Sequence, residues 1–313
     1  MAKQNLYDLI EPQKPESVER EVVATMRAID AEFEVDRLQH LYRHIVLLFQ
    51  GLYPGYRASD AWYHDLEHTN AVFLCVAAML DGAHQDGVRI SSRGKLLVLA
   101  CALFHDVGLI RRLDETEGTG ARFTVGHEGR SIASMTDYFV KHGFSDESIT
   151  DATHIILCTV LNKAVGEIPF RNTEVRKLGQ ILGSADVVAQ MADRAYLEKL
   201  LLLFREFREA RLPGYESELD LLEKTPTFYQ KVVKRRLEDE FDHVDAFLDA
   251  HARVRWGQEE EPFHLAIDRN LQYLEQILAT DKSHYRNWLR RGDVVASLPR
   301  EPQDSGKDAP ESQ

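Results

Sequence analysis

Apolar residues recur at three- and four-residue spacing along almost all of this 313-residue chain, and no stretch alternates as a half-buried strand does. That periodicity predicts an all-α fold. Helical patterns begin at Glu16 with Val22, Val23, Met26, Ile29 and Phe33, and again near Asp36 with Leu38, Leu41, Ile45, Leu47, Leu48 and Phe49. Further helices are expected over 66–80, 94–105, 126–142 and 146–161. Others are expected over 173–207 with a break near Gly183, over 217–256 with an interruption at Thr225–Pro226, and over 262–278. The chain then divides into a loose start (1–15), N-terminal helices (16–55), a core (56–195) and a C-terminal helical extension (196–297). The final segment, 298–313, collapses to Pro, Glu, Asp, Ser, Gly and Gln and is expected to be disordered.

Composition narrows the partners. Hydrophobic residues make up 44% and charged residues 28%, so a packed core is expected, while the formal charge of -13 repels nucleic-acid backbones and anionic lipid. No apolar run reaches the roughly twenty residues of a spanning helix, so no membrane partner is expected. Cys75, Cys101 and Cys158 lie in apolar helical stretches without CxxC pairing, which reads as buried thiols in a reducing cytoplasm. An anionic substrate would need local positive charge from a metal or from a few arginines.

The polar residues that carry chemistry stand out by their apolar neighbours. Of thirteen histidines, His40, His44, His84, His142, His243, His251, His264 and His284 sit on charged faces or near helix ends, where solvated or capping roles are expected. His105–Asp106, His154 and Asp186 are instead embedded in apolar sequence. An unpaired imidazole or carboxylate buried there costs several kcal/mol unless hydrogen bonds or a cation compensate. One helix can aim only one or two ligands at a point, so a metal centre in an all-α chain draws on several helices. Imidazole and carboxylate together suit iron, manganese, zinc, cobalt or magnesium.

In order along the chain, His68, His105–Asp106, His127, His154 and Asp186 resemble the H…HD…H…H…D pattern of HD-domain metal-dependent phosphohydrolases, over roughly residues 56–195. Tyr63–His64–Asp65–Leu66–Glu67–His68 is similar to the Tyr-His-Asn-x-x-His signature of cyclic-nucleotide phosphodiesterases. The resemblance implies an HD helical bundle with one or two divalent ions. His68, His105, Asp106 and Asp186 would hold the first; Asp106 would bridge to a second, completed by His127 and His154. It also implies that His64 donates a proton to the leaving oxygen, and Asp65, in place of the usual Asn, would be its acidic neighbour. The expected activity is hydrolysis of a small phosphate ester, a nucleotide among the candidates, by metal-activated water. Arg111, Arg112 and Arg130 are candidate phosphate clamps. Asp193–Arg194 reads as a surface ion pair or as support for Asp186, and Trp62, Tyr63, Phe73 and Phe104 read as core aromatics.

The sequence after the pair, Val107–Gly108–Leu109–Ile110, lacks the Glu-Asp of guanosine tetraphosphate hydrolases, and no Gly-Tyr-Pro motif of the cyclic-dinucleotide branch follows. Two other functions use the same residues: an HD-type di-iron oxygenase, and a non-catalytic nucleotide-sensing module. A homo-oligomer is compatible with either.

Overall fold

The computed structural model describes Leu6, residues 9–280 and residues 282–298. Among these the fold is all-α, with α1 (Pro15–Ile29), α2 (Val35–Phe49), α3 (Leu66–Gln85), α4 (Ser92–Phe104), α5 (His127–Lys141) and α6 (Asp146–Ile156). They continue with α7 (Thr173–Ala192), α8 (Tyr196–Glu209), α9 (Glu218–Phe228), α10 (Phe247–Arg255) and α11 (Pro262–Ala279), joined by short 3-10 and π-type turns. The extended geometry is a single bridge between Tyr56 and Arg112. No helix among the described residues is long and apolar enough to cross a membrane. The tail expected from 298 onward lies, beyond Leu298, outside the described residues.

Three helices form the inside. In α4 every residue from Gly94 to Phe104 is buried, and α3 and α7 are buried nearly all round. A helix apolar on every side must be wrapped by others, and here α3, α4 and α7 pack on one another with α1, α2, α6, α10 and α11 around them. The wrapping helices are amphipathic, as their sequences predict. α2, for example, turns Leu38, Leu41, Tyr42, Ile45, Leu48 and Phe49 inward, each contributing about 1.5–3 kcal/mol of burial for the larger aliphatic and aromatic groups. Leu47, expected on that face, points outward and is 36% exposed. Cys75, Cys101 and Cys158 are buried free thiols.

Three boundary expectations change. The start of the chain is pinned where it is described, because Ile10 is buried and the Pro12 carbonyl accepts a 2.8 Å bond from Asn70 Nδ2. Gly183 does not break α7. A Cβ there would lie 2.4 Å from Phe241 and 2.8 Å from the Cys158 carbonyl, so this glycine permits close approach to an unbroken helix. The break falls at Asp193, whose Oδ1 accepts from Ala195 N–H while Asn270 of α11 donates to the Met191 and Asp193 carbonyls that end α7. Pro226 likewise sits inside α9, which runs on into wider π turns at Tyr229–Val233 and Arg236–Glu240. The chain actually turns at Asp242 and His243, both with left-handed φ.

Three histidines expected in solvated or capping roles make specific side-chain contacts, although His264, beside the Glu261 cap of α11, stays 35% exposed. His251 is buried and bonded to Asp81 at 2.6 Å, and His264 bridges Glu261 and Asp245. His44 packs among Tyr53, Tyr138 and Phe104, and burial, with the nearby His142, Lys141 and His40, lowers its pKa to about 4.

Candidate metal centre

The innermost helices bring the candidate ligands together. α3 starts at Asp65, whose carboxylate accepts the His68 N–H at 2.9 Å and fixes the first turn that carries His68. α4 ends at His105, and the chain tightens into a 3-10 turn at Val107–Leu109, so that His105 and Asp106 face the same point. Asp186 projects from the middle of α7. His68 Nε2 lies 3.3 Å from His105 Nε2, 3.2 Å from Asp106 Oδ2 and 3.4 Å from Asp186 Oδ1. His105 Nε2 lies 3.0 Å from Asp106 Oδ2 and 3.6 Å from Asp186 Oδ1. Bonds of about 2.1 Å to a common ion would place neighbouring ligand atoms about 3.0–3.5 Å apart, close to the 3.0 to 3.6 Å observed.

The donor chemistry fits a divalent cation. His105 Nδ1 donates to the Ala102 carbonyl at 2.8 Å, and His127 Nδ1 donates to the Thr124 carbonyl at 2.8 Å. A carbonyl can only accept, so in each neutral ring Nε2 is the bare nitrogen, aimed at Asp106 in both cases. Such second bonds fix the tautomer of metal-ligating histidines. Asp106 Oδ2 is buried and receives no hydrogen bond among the described residues. His68, His105 and Asp106 are all buried and form a group able to hold an ion. Asp106 and Asp186 together carry two negative charges, which balance a divalent ion.

Without the ion, protons take its place electrostatically. Burial opposes charging His68, but Asp106 and Asp186 outweigh it and raise its pKa to about 10. Against the same desolvation, Asp106 with Glu128 and the Thr124 carbonyl raises His127 to about 9, and Asp106 with Asp186 raises His105. Asp106, despite its own burial, is held well below the usual carboxylate range by His105, His64 and His127.

The expected second position is formed in part. His127 Nε2 is 3.2 Å from Asp106 Oδ1, the oxygen turned away from His68 and His105. Gly108 makes that approach possible: a Cβ there would lie 2.0 Å from the His127 carbonyl and 2.8 Å from Ser131 N. The Gly108 N–H is bonded to Ser131 Oγ at 2.8 Å. His154 is not drawn in. It is half-buried on α6, edge-on to Phe170, with Nδ1 buried and unbonded, and it makes no hydrogen bond or ion pair with the cluster among the described residues.

His64 lines the same cavity as Asp106, His127 and Asp186. Its carboxylate partner is not Asp65, which is spent on the α3 cap, but Glu206 of α8. Glu206 Oε2 is 2.6 Å from His64 Nδ1, and Oε1 accepts the Tyr63 N–H at 2.7 Å and the His64 N–H at 3.4 Å. Glu206 is buried, which by itself would raise its pKa, but His64 and these N–H groups leave it lowered. An ionised Glu206 accepts the Nδ1 proton and leaves Nε2 as the atom that handles a transferable one. Sequence reasoning missed Glu206 because it lies in the charged run Arg205–Glu206–Phe207–Arg208–Glu209, which reads as a solvated helix face.

The proposed phosphate clamps have other work. Arg111 pairs with Asp60 and donates to the Glu115 carbonyl, and Arg112 is exposed at the Tyr56 bridge. Arg130 donates to the Gly108 carbonyl at 2.7 Å, pairs with Glu115 at 2.9 Å and stacks on Phe123, which clamps α5 against the His105–Asp106 turn. None of the three lines the cavity. Asp193 pairs with Lys199, not Arg194, at 2.6 Å, and Lys199 also holds Glu67 at 2.9 Å beside His68. Tyr63, Phe73 and Phe104 are core residues, whereas Trp62 is 41% exposed beneath Arg205.

A buried arginine also went unread. Arg236 donates to the carbonyls of Cys158, Val160, Leu161 and Lys163, anchoring the loop after α6 that forms part of the cavity wall.

No curated protein matches the chain. The Npun_R2479-like family model matches residues 37–254, a span that takes in every residue of the centre together with Glu206 and Arg236. The chain belongs to the Npun_R2479-like family.

Proposed function

We propose that this chain is a metal-dependent phosphoric ester hydrolase of the HD type. The observation that carries the reading is the convergence of His68, His105, Asp106 and Asp186 from three mutually packed helices, beside a His64–Glu206 pair that shares their cavity. An ion bound there supplies positive charge against a phosphoryl oxygen and acidifies water. The remaining work belongs to the chain. Asp106 offers its second oxygen toward His127, so the same carboxylate can serve two positions. Glu206 holds the His64 ring by Nδ1, and His64 Nε2 delivers a proton to the departing alkoxide oxygen. Burial of the cluster among apolar helices excludes bulk water and strengthens each of these interactions.

The test is a panel of phosphomonoesters and phosphodiesters assayed with manganese, iron and magnesium. Metal-dependent release of phosphate or of an alcohol is expected, lost in His64→Ala with metal retained. Iron-dependent oxygen uptake without phosphate release would replace this reading by the oxygenase that the same ligands could serve. Nucleotide binding without turnover under any ion would replace it by a sensing module.

A further inference from the structure

The cavity that opens on the cluster measures about 550 Å³, within the range that holds a small organic ligand. His64, Asp106, His127 and Asp186 mark its reactive end. Much of the remaining lining is apolar, led by Leu200, Leu203 and Phe207 of α8, Leu221 and Phe228 of α9, and Leu161. The lining threonines are committed already, while Asn162, Gln190, Tyr196 and Tyr215 also contribute polar groups to the cavity lining. The Thr124, Thr159 and Thr225 hydroxyls donate to the carbonyls of Ala121, Ile156 and Leu221 at 2.7, 2.8 and 2.9 Å. Lys224 is the one lysine or arginine in the lining, and its ammonium is shared between Asp220 Oδ2 at 2.7 Å and the Gly214 carbonyl at 2.8 Å.

A polyphosphate would therefore find only the shared Lys224 ammonium beyond the metal end, and the aliphatic and aromatic side chains of the α8–α9 wall offer a sugar's hydroxyls no partner. We infer that the substrate presents a single phosphate to the cluster and buries an uncharged hydrocarbon group against the α8–α9 wall. This rests on the hydrolase reading for the phosphate end alone; the wall's preference is a property of the chain's own side chains.

Calorimetric titration of the manganese-loaded full chain with n-alkylphosphonates, from ethyl to hexyl, separates the two. Burying each added methylene should tighten binding roughly fourfold, or about two-hundredfold over the four that separate ethyl from hexyl. Phe228→Ala should flatten that slope without changing metal content. Leu161→Ala, at a site already 46% exposed, gives a second wall variant should the first fail to fold. A steep series with no turnover of the matching alkyl phosphates would sink the hydrolase reading and leave the cavity assignment standing. A flat or undetectable series, or tighter binding of glucose 6-phosphate or a nucleoside monophosphate than of hexylphosphonate, would overturn the assignment.

Discussion

Replacing Glu206 by Gln tests the division of labour around His64 with almost no change of shape. Glu206 accepts on both oxygens: Oε1 takes the Tyr63 and His64 N–H groups and Oε2 takes His64 Nδ1–H. A glutamine can satisfy only one side. If its oxygen faces the ring, its NH2 meets two backbone donors and leaves them unsatisfied, at about 1–3 kcal/mol. If instead its oxygen keeps the backbone donors, its NH2 donates to Nδ1 and the imidazole must carry its proton on Nε2. The second arrangement avoids the buried clash, so the ring is expected to take the inverted tautomer and to lose the bond that stabilises its charged form. General acid–base catalysis contributes about 10²- to 10⁴-fold. Glu206→Gln should therefore lower kcat by that order on alkyl phosphates, whose leaving oxygen needs a proton, and by far less on p-nitrophenyl phosphate, whose leaving oxygen does not. Metal content should be unchanged, and steady-state kinetics on the two esters with parallel metal analysis is the assay. Full activity on the alkyl ester, or an equal loss on both, would refute the role given to the pair.

Gly108→Ala should push the first turn of α5 back by about 1 Å, since a Cβ 2.0 Å from the His127 carbonyl cannot stand. Overpacking of this kind costs about 1–3 kcal/mol, so a lower Tm is expected with weakened occupancy of the His127 position, read by metal titration. His68 and His127 hold protons up to about 10 and about 9 in the metal-free protein. Binding must expel them, so competition with a chelator should show affinity rising between pH 6.5 and about 9. The same raised values stabilise the metal-free fold below pH 6.5, and denaturant melts should show that contribution fading as pH climbs through about 9 to about 10. His44 behaves oppositely. With its pKa lowered to about 4 it costs stability as pH falls from 6.5 toward that value, and His44→Leu should remove this acid-side loss in melts at pH 5.

The inner helices were legible because their sequences are apolar on every side, and a His-Asp pair ending one of them had to find compensation for its burial. His105, Asp106 and Asp186 could be picked out because each interrupts an apolar run, and His68, in a polar stretch, only through its place in the ordered motif. What periodicity could not supply was pairing at long range. Glu206 meets His64 across 142 residues and His251 meets Asp81 across 170, and each looks like surface in its own helix. Asp65 was read as the neighbour of His64, although an acidic residue just before an apolar helix is well placed to cap it, which is where the structure uses it. Arg111 and Arg130 were misassigned because spacing places a side chain near a site without disclosing which carboxylate reaches it first. The interruption expected at Pro226 failed because a proline removes one donor and bends a helix locally, while tertiary packing decides whether the chain turns.

Elemental analysis and X-ray absorption of the purified full chain, beside Asp106→Ala, test the centre most directly. The parent should carry at least one divalent metal ion per chain in a nitrogen and oxygen shell at about 2.1 Å, and the variant should stay helical by circular dichroism with little or no metal. A folded Asp106→Ala protein that retains the parent's metal, or a parent that binds no ion from any of the five candidates, would contradict the account.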